Sequence, residues 1–309
     1  MQEKDLGKGR LNFDEFCSYV EEEIKKRFGK GYEVAINEIT KNNNQKFHTL
    51  NILRDECNFS PMFYLDIHYE AHLNGQDLLE IVEDIIAFYN RDNFKKNLDV
   101  EFVKNWKKVK GRILYKLINY EKNREMLLEV PHKRFLDLAI VYYIAFEDMP
   151  NGHASILIHN DLMKMWEKTA DDLHKEASKN TPYYRMGNIM DMSLIMKELR
   201  LEAETEAETG FMYILTNSEN FFGASTILYP NVLKQFAEKM ETDFYIIPSS
   251  VHEVLLIPYT EGDADALSWI VNEVNQVVIK QQEYLSDSVY KFSRETGEIS
   301  IIAGGGIYE

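Results

Sequence analysis

The apolar positions change period several times along the chain, and each change marks a predicted element. Phe13, Phe16, Cys17, Val20, Ile24 and Phe28 recur at helical spacing behind a cap at Asn12 or Asp14, and Gly29 and Gly31 close that helix. Tyr32 to Ile39 then alternates with a period of two, Asn42-Asn43-Asn44 reads as a turn, and Phe47 to Leu53 alternates again. Pro61 to Leu65 offers a third short strand, and Asp77 caps a helix over 78–90 whose Leu78, Leu79, Val82, Ile85, Ile86 and Tyr89 face inward. Residues 91–124 read as a polar helical bridge, with Val103, Trp106, Val109, Ile113, Leu114 and Leu117 on one broad stripe.

The second half opens on a long apolar run, 135–146, which reads as a central strand. Its predicted partner is 154–159, reached across the turn Pro150-Asn151-Gly152. Asn160 or Asp161 caps a helix carrying Leu162, Met165, Trp166 and Leu173, and 182–200 reads as a connector and a helix rich in methionine over 186–196. Glu202 to Glu208 has no core-forming side chain and reads as an exposed, mobile acidic loop. The stretch 211–259 then combines a strand, a helix opened by Pro230 (Val232, Leu233, Phe236, Ala237, Met240) and a tight hairpin of 243–248 with 251–258 around Pro248-Ser249-Ser250. Asp263 or Asp265 opens a helix that turns Leu267, Ile270, Val271, Val274, Val277 and Val278 inward, and a terminal hairpin pairs 288–292 with 299–302.

Sheets with one apolar face need helices over them, so the pattern predicts an α+β protein of two halves, 1–124 and 125–309. Each half is expected to be a mostly antiparallel sheet covered by helices. The second sheet is expected to hold 135–146, 154–159, 211–216, 243–248 and 251–258.

Composition narrows the function. The apolar fraction of 45% and charged fraction of 28% in 309 residues are those of a chain able to bury a sizeable core. A net charge of −16 argues against binding a nucleic-acid backbone, which needs basic residues to displace counterions. The one dense basic cluster, Lys104, Lys107, Lys108, Lys110 and Arg112, reads as a solvated helix face. Cys17 and Cys57 give no disulfide framework, the first residues lack the apolar core of a signal peptide, and no uncharged apolar run approaches the roughly 20 residues of a membrane helix. The expected setting is the cytoplasm, without a membrane.

Three groups of residues hold chemistry-bearing side chains. His68 and His72, with Asp66 and Glu70, could chelate zinc as an i, i+4 pair if helical, but they lack the His-Glu-x-x-His pattern and read otherwise as a polar strand end. His153, Ser155, His159 and Asp161 lack a nucleophile elbow and an oxyanion hole. Ser249, Ser250, His252 and Glu253 crowd the predicted hairpin turn, where serine suits local backbone bonding; a ligand site built of loops would be sought there first. Gly29-Lys30-Gly31 and Gly304-Gly305-Gly306 do not stand where a phosphate loop needs its glycines. No cofactor and no metal site is expected.

Three stretches together carry a resemblance: Val130 to Tyr143, Ala154 to Trp166, and Gly223 to Pro258. They resemble an uncharacterised domain-of-unknown-function family of Gram-positive anaerobes, often met on mobile elements. More remotely, the order of hairpin, Trp-bearing helix, acidic loop, aromatic strand and apolar hairpin is similar to a second uncharacterised bacterial family. The resemblance implies this layout and no chemistry. The reading is therefore a non-enzymatic cytoplasmic interaction or regulatory protein with an unknown protein partner. The alternatives are a mobile-element inhibitor whose acidic surface mimics nucleic acid, and a hydrolase using loop histidines and carboxylates.

Overall fold

A computed structural model describes residues 11–58, 60–91, 99–146, 154–193, 212–260 and 264–304. The fold is α+β, with three antiparallel sheets and helices, and it divides into two compact units. The first comprises residues up to Lys41 and Gln45–Val100; the second comprises Asn42–Asn44 and the chain from Glu101 onward.

In the first unit, helix α1 (Phe13–Phe28) starts at Asn12, whose side chain accepts from Glu15 N while the Glu15 carboxylate accepts from Asn12 N. This reciprocal box satisfies amide groups that the first turn leaves without helical partners. Gly29, at φ 68°, ends the helix. Strands β1 (Tyr32–Lys41) and β2 (Gln45–Arg54) pair in register from Tyr32↔Arg54 to Lys41↔Gln45, and β3 (Met62–Tyr64) adds to β2. Helices α2 (Leu65–Leu73) and α3 (Leu78–Arg91) follow. Phe16, Val20 and Ile24 of α1 meet Leu50, Ile52, Leu65, Ile81 and Ile85 in one core.

The second unit has two sheets. Short helices α4 (Val100–Lys104) and α5 (Trp106–Val109) lead into β4 (Ile113–Asn119), and α6 (Arg124–Leu127) leads into β5 (His132–Phe135) and β6 (Leu138–Phe146). β4 lies along one edge of β6; β5 and then β7 (Ala154–Leu157) share the other. Helices α7 (Asn160–Met165) and α8 (Ala170–Tyr184) come next. The six-stranded sheet runs β13-β12-β10-β11-β9-β8, from β8 (Gly187–Asp191), β9 (Tyr213–Asn217), β10 (Phe244–Ile247), β11 (Val254–Pro258), β12 (Val289–Phe292) and β13 (Ile299–Ala303). Helices α9 (Val232–Met240) and α10 (Ala264–Val277) complete the unit. One large core joins Tyr115, Leu138, Tyr142 and Ile144 of the smaller sheet to Phe244, Ile246, Leu256 and Tyr290 of the larger.

Several sequence expectations are corrected. The strands expected in one second sheet fall in two. The run 135–146 is broken at Leu136, whose φ of 56° turns the chain from β5 back along β6. The helical stripe of 91–124 fails from Ile113, where β4 buries both faces and so shows no alternation. Residues 187–191 are strand β8 rather than a methionine-rich helix. The predicted helix after Asn160 is two, parted at Glu167 (φ 53°), and Thr169 caps α8 together with Asp172. The acidic stretch Glu202–Glu208, the turn Pro150-Asn151-Gly152 and residues 305–306 lie outside the described residues.

Candidate functional site

Ser249, Ser250, His252 and Glu253 do not sit in a tight turn. Six residues, 248–253, separate β10 from β11, and the loop is sewn to two distant stretches. The carbonyls of Pro248 and Ser249 accept from Ser286 N and Leu285 N at 2.9 Å each, and Val251 N donates to Glu283 O at 2.8 Å. On the other side, Val251 O accepts from Ala224 N (3.3 Å) and His252 O from the Thr216 hydroxyl (2.8 Å). Backbone groups buried away from water must find partners, and here the loop supplies them for 216–224 and 283–286.

The side chains serve the same seam. Ser250 Oγ accepts from His252 N at 3.0 Å. His252 Nδ1 lies 3.3 Å from Phe222 N, so it accepts and the neutral ring carries its proton on Nε2. The imidazole stacks on the Phe222 ring, with centroids 5.9 Å apart and planes 5° apart. Phe222 holds a left-handed φ of 55°, with Lys116 Nζ 4.2 Å from its ring centroid and Tyr143 edge-on at 5.7 Å. Glu253 is half-buried beside them in sequence. Ser250 thus bonds the histidine's backbone rather than its ring, and the loop reads as structure, not as a Ser–His pair.

His68 and His72 do stand four apart on a helix, α2. His72 Nδ1 donates to Gln76 O (3.2 Å) and its ring stacks on Phe16, while burial lowers the pKa of His68 and Asp84 of α3 opposes that. Asp66 accepts from His48 N at 2.7 Å. The two imidazoles therefore engage different neighbours, and no cluster of three possible metal ligands exists among the described residues. Ser155 and His159 are exposed on either side of the end of β7, Asp161 pairs loosely with Lys164 at 3.4 Å, and His153 lies outside the described residues. Burial pushes the Cys17 thiol up to about 11, with Asp66 adding to the rise, which makes it a core side chain rather than a nucleophile.

The feature that sequence reasoning missed is on α10. Leu267 and Val271 pack against the sheet, and Asn275 Nδ2 reaches Ser286 O (2.9 Å) and Asp287 Oδ1 (2.7 Å). Ile270, Val277 and Val278, expected inward, face solvent. Trp269 is 66% exposed, Val277 81% and Val278 68%. Beside α10 runs β13, an edge strand of the six-stranded sheet, on which Ile301 and Ile302 are exposed. The sequence did carry a signal: from Ala264 to Val278 the apolar positions spread over more than half of the helix circumference, leaving only a strip of Asp265, Ser268, Asn272, Asn275 and Gln276 without them, and the only charges are Asp265 and Glu273. An apolar arc of that width is more than one packed face covers.

A family model described as a family of unknown function (DUF5688) matches residues 13–294. The chain belongs to this family. The matched region runs from α1 through β12, so it takes in both compact units and α10, while β13 lies beyond it. No curated protein and no solved structure matches the chain. No helix among the described residues is long and apolar enough to cross a membrane.

Proposed function

We propose that the protein acts by binding another protein, as a non-enzymatic interaction or regulatory factor, and that the outer face of α10 is the surface it uses. One observation carries this reading: Trp269, Ile270 and Val277 are presented to solvent on α10, whose other side is anchored through Leu267, Val271 and Asn275, and Val278 follows exposed just past its end. Isolated exposed apolar side chains are ordinary, but a run of them including a tryptophan marks an interaction surface. The partner is a protein with an apolar ridge and a basic rim. Glu273 is exposed among these residues and the chain carries a net charge of −16, so two copies repel one another while a basic rim is drawn in. The two free cysteines support a reducing compartment such as the cytoplasm.

The test is co-precipitation from the native host with the wild-type chain and a Trp269→Glu/Val277→Glu variant. The captured partner is then purified, titrated and mapped by cross-linking. We expect a partner with a basic rim whose binding weakens at least about tenfold in the variant, the scale for losing an aromatic anchor, and falls with added salt. Unchanged binding by the variant, or cross-links that avoid α10 and β13, would refute the assignment of this face.

A further inference from the structure

A second unpartnered surface lies in the first unit, along the outer edge of β1. Every open sheet has edges, and their unpaired N–H and C=O groups invite another strand, so folds usually blunt them. This chain does so elsewhere. Asn180 Nδ2 of α8 donates to Ile113 O of β4 at 3.0 Å, and the Thr181 hydroxyl accepts from Tyr115 N at 3.0 Å. β3 has only three residues, and β13 pairs with β12 across a register shift. β1 carries no such device: it runs ten residues, Tyr32–Lys41, without proline and without a shift against β2.

Which of its backbone groups face outward follows from the hydrogen bonds around it. Opposite residues of an antiparallel pair alternate between those that exchange backbone bonds and those that do not. Gly31 O accepts from Asp55 N at 2.9 Å, which makes the odd-numbered residues of β1 the bonded ones. The other phase agrees: His48 N donates to the Asp66 carboxylate (2.7 Å) and Ile52 N to Ser60 Oγ (2.9 Å), so the β2 residues opposite Glu38 and Val34 turn away from β1. Val34, Ile36, Glu38 and Thr40 therefore aim N–H and C=O out of the sheet edge, and no backbone bond ties them to another element among the described residues. Two charges on the strand are also unmatched. Glu33 is exposed, Lys41 lies loosely over the Tyr64 ring at 5.9 Å, and neither has an ion-pair partner among the described residues.

We propose that β1 is the seam of a symmetric dimer, in which two copies of this chain pair their β1 strands antiparallel, centred on Asn37. The strand is its own complement. Outward groups sit on even-numbered residues, so even must meet even, and in this register Val34 and Ile36 exchange backbone bonds with Thr40 and Glu38 of the other copy. The same register sets Glu33 directly opposite Lys41 of the other copy, and symmetry repeats the pair. Moving the centre to Ile36 puts Glu33 against Ile39, and moving it to Glu38 puts Glu38 against itself. In the proposed register Glu38 meets its copy only diagonally, and Lys46 already pairs with it at 2.8 Å. The net charge of −16 sets two copies apart at longer range, where physiological salt screens it beyond about 8 Å.

The test is equilibrium sedimentation of the full chain over about 1–100 μM. We expect a monomer–dimer equilibrium with a dissociation constant on the order of 10 μM, the weak end that suits an interface of one strand pair. Glu38→Pro removes an outward N–H and puts a ring where the other strand would lie, at a position where an edge tolerates proline; it should weaken the dimer at least about tenfold. Lys41→Glu should weaken it about tenfold by turning two attractive pairs into repulsive ones, and the exchange Glu33→Lys/Lys41→Glu should restore the wild-type constant to within about threefold. If Glu38→Pro fails to fold, the charge variants decide alone. A chain that stays monomeric at about 100 μM overturns the proposal, whether or not β1 then takes a strand from another protein. So does a dimer that ignores Lys41→Glu, or one that the charge exchange fails to restore. Trp269→Glu/Val277→Glu leaves this dimer intact, so its failure and that of the α10 reading are told apart.

Discussion

The loop 248–253 and the outer face of α10 are opposites. The loop is rich in residue types that do chemistry, yet what ties it down is mainly its backbone: the Pro248 and Ser249 carbonyls on 285–286, Val251 on Glu283 and Ala224, and the His252 carbonyl on Thr216, with the His252 ring on Phe222 N. The helix is rich in residue types that build cores, yet it leaves Trp269 and Val277 in solvent. Residue type alone therefore misleads in both directions. What separates them is the count of partners each side chain has already found, and that is a property of the tertiary fold.

The sharpest way to break the comparison is within the β10–β11 hairpin, whose two faces are unequal. Leu256 is fully buried in the large core opposite Ile246, whereas Leu255 is only partly buried in the smaller cluster under α10. Leu256→Ala should cost roughly 2–5 kcal/mol, and Leu255→Ala should fall at or below the bottom of that range. Denaturant titration of both variants checks the order; a reversal would mean that α10 is held far more tightly than its exposed face implies.

The next effect tests the seam itself. Gly223 lies where a Cβ would come within 2.1 Å of Thr216 Oγ1 and 2.3 Å of His252 O. Gly223→Ala should therefore cost about 1–3 kcal/mol or more, as forced overpacking does, because backbone rather than a flexible side-chain tip must move. Calorimetric melting that finds no loss would show the loop free to shift, and a loop free to shift is one that could serve a ligand.

Much of the fold was legible and the reasons are local. Asn12, one of the two caps expected, opens α1, the alternation of 32–39 and 47–53 gives the first hairpin, and 288–292 with 299–302 gives the last, within a residue at its ends. The failures are equally physical. Ile113 to Asn119 is covered on both faces, so a strand and a buried helix look alike there. A leucine at φ 56° carries no turn signal, which hid the reversal at Leu136 between β5 and β6. The surroundings of Ser249 and His252 are decided by partners some 30 residues away on either side, and no local pattern encodes those.

The smallest expected effects decide between the two regions directly. His252→Ala removes an acceptor for Phe222 N and a ring stacked on Phe222, so it should lower stability by about 1 kcal/mol, the net scale of one such bond. Trp269→Ser removes a side chain that is already mostly in water, so its effect should stay within about 0.5 kcal/mol of zero. Urea titrations of the two variants under one set of conditions give the comparison, with m-values checked for constancy. Should Trp269→Ser prove the more damaging, the tryptophan is packed in solution and the α10 face is not available to a partner. Should His252→Ala prove silent, the imidazole is not needed by the seam, and its Nε2 becomes the group to test for binding.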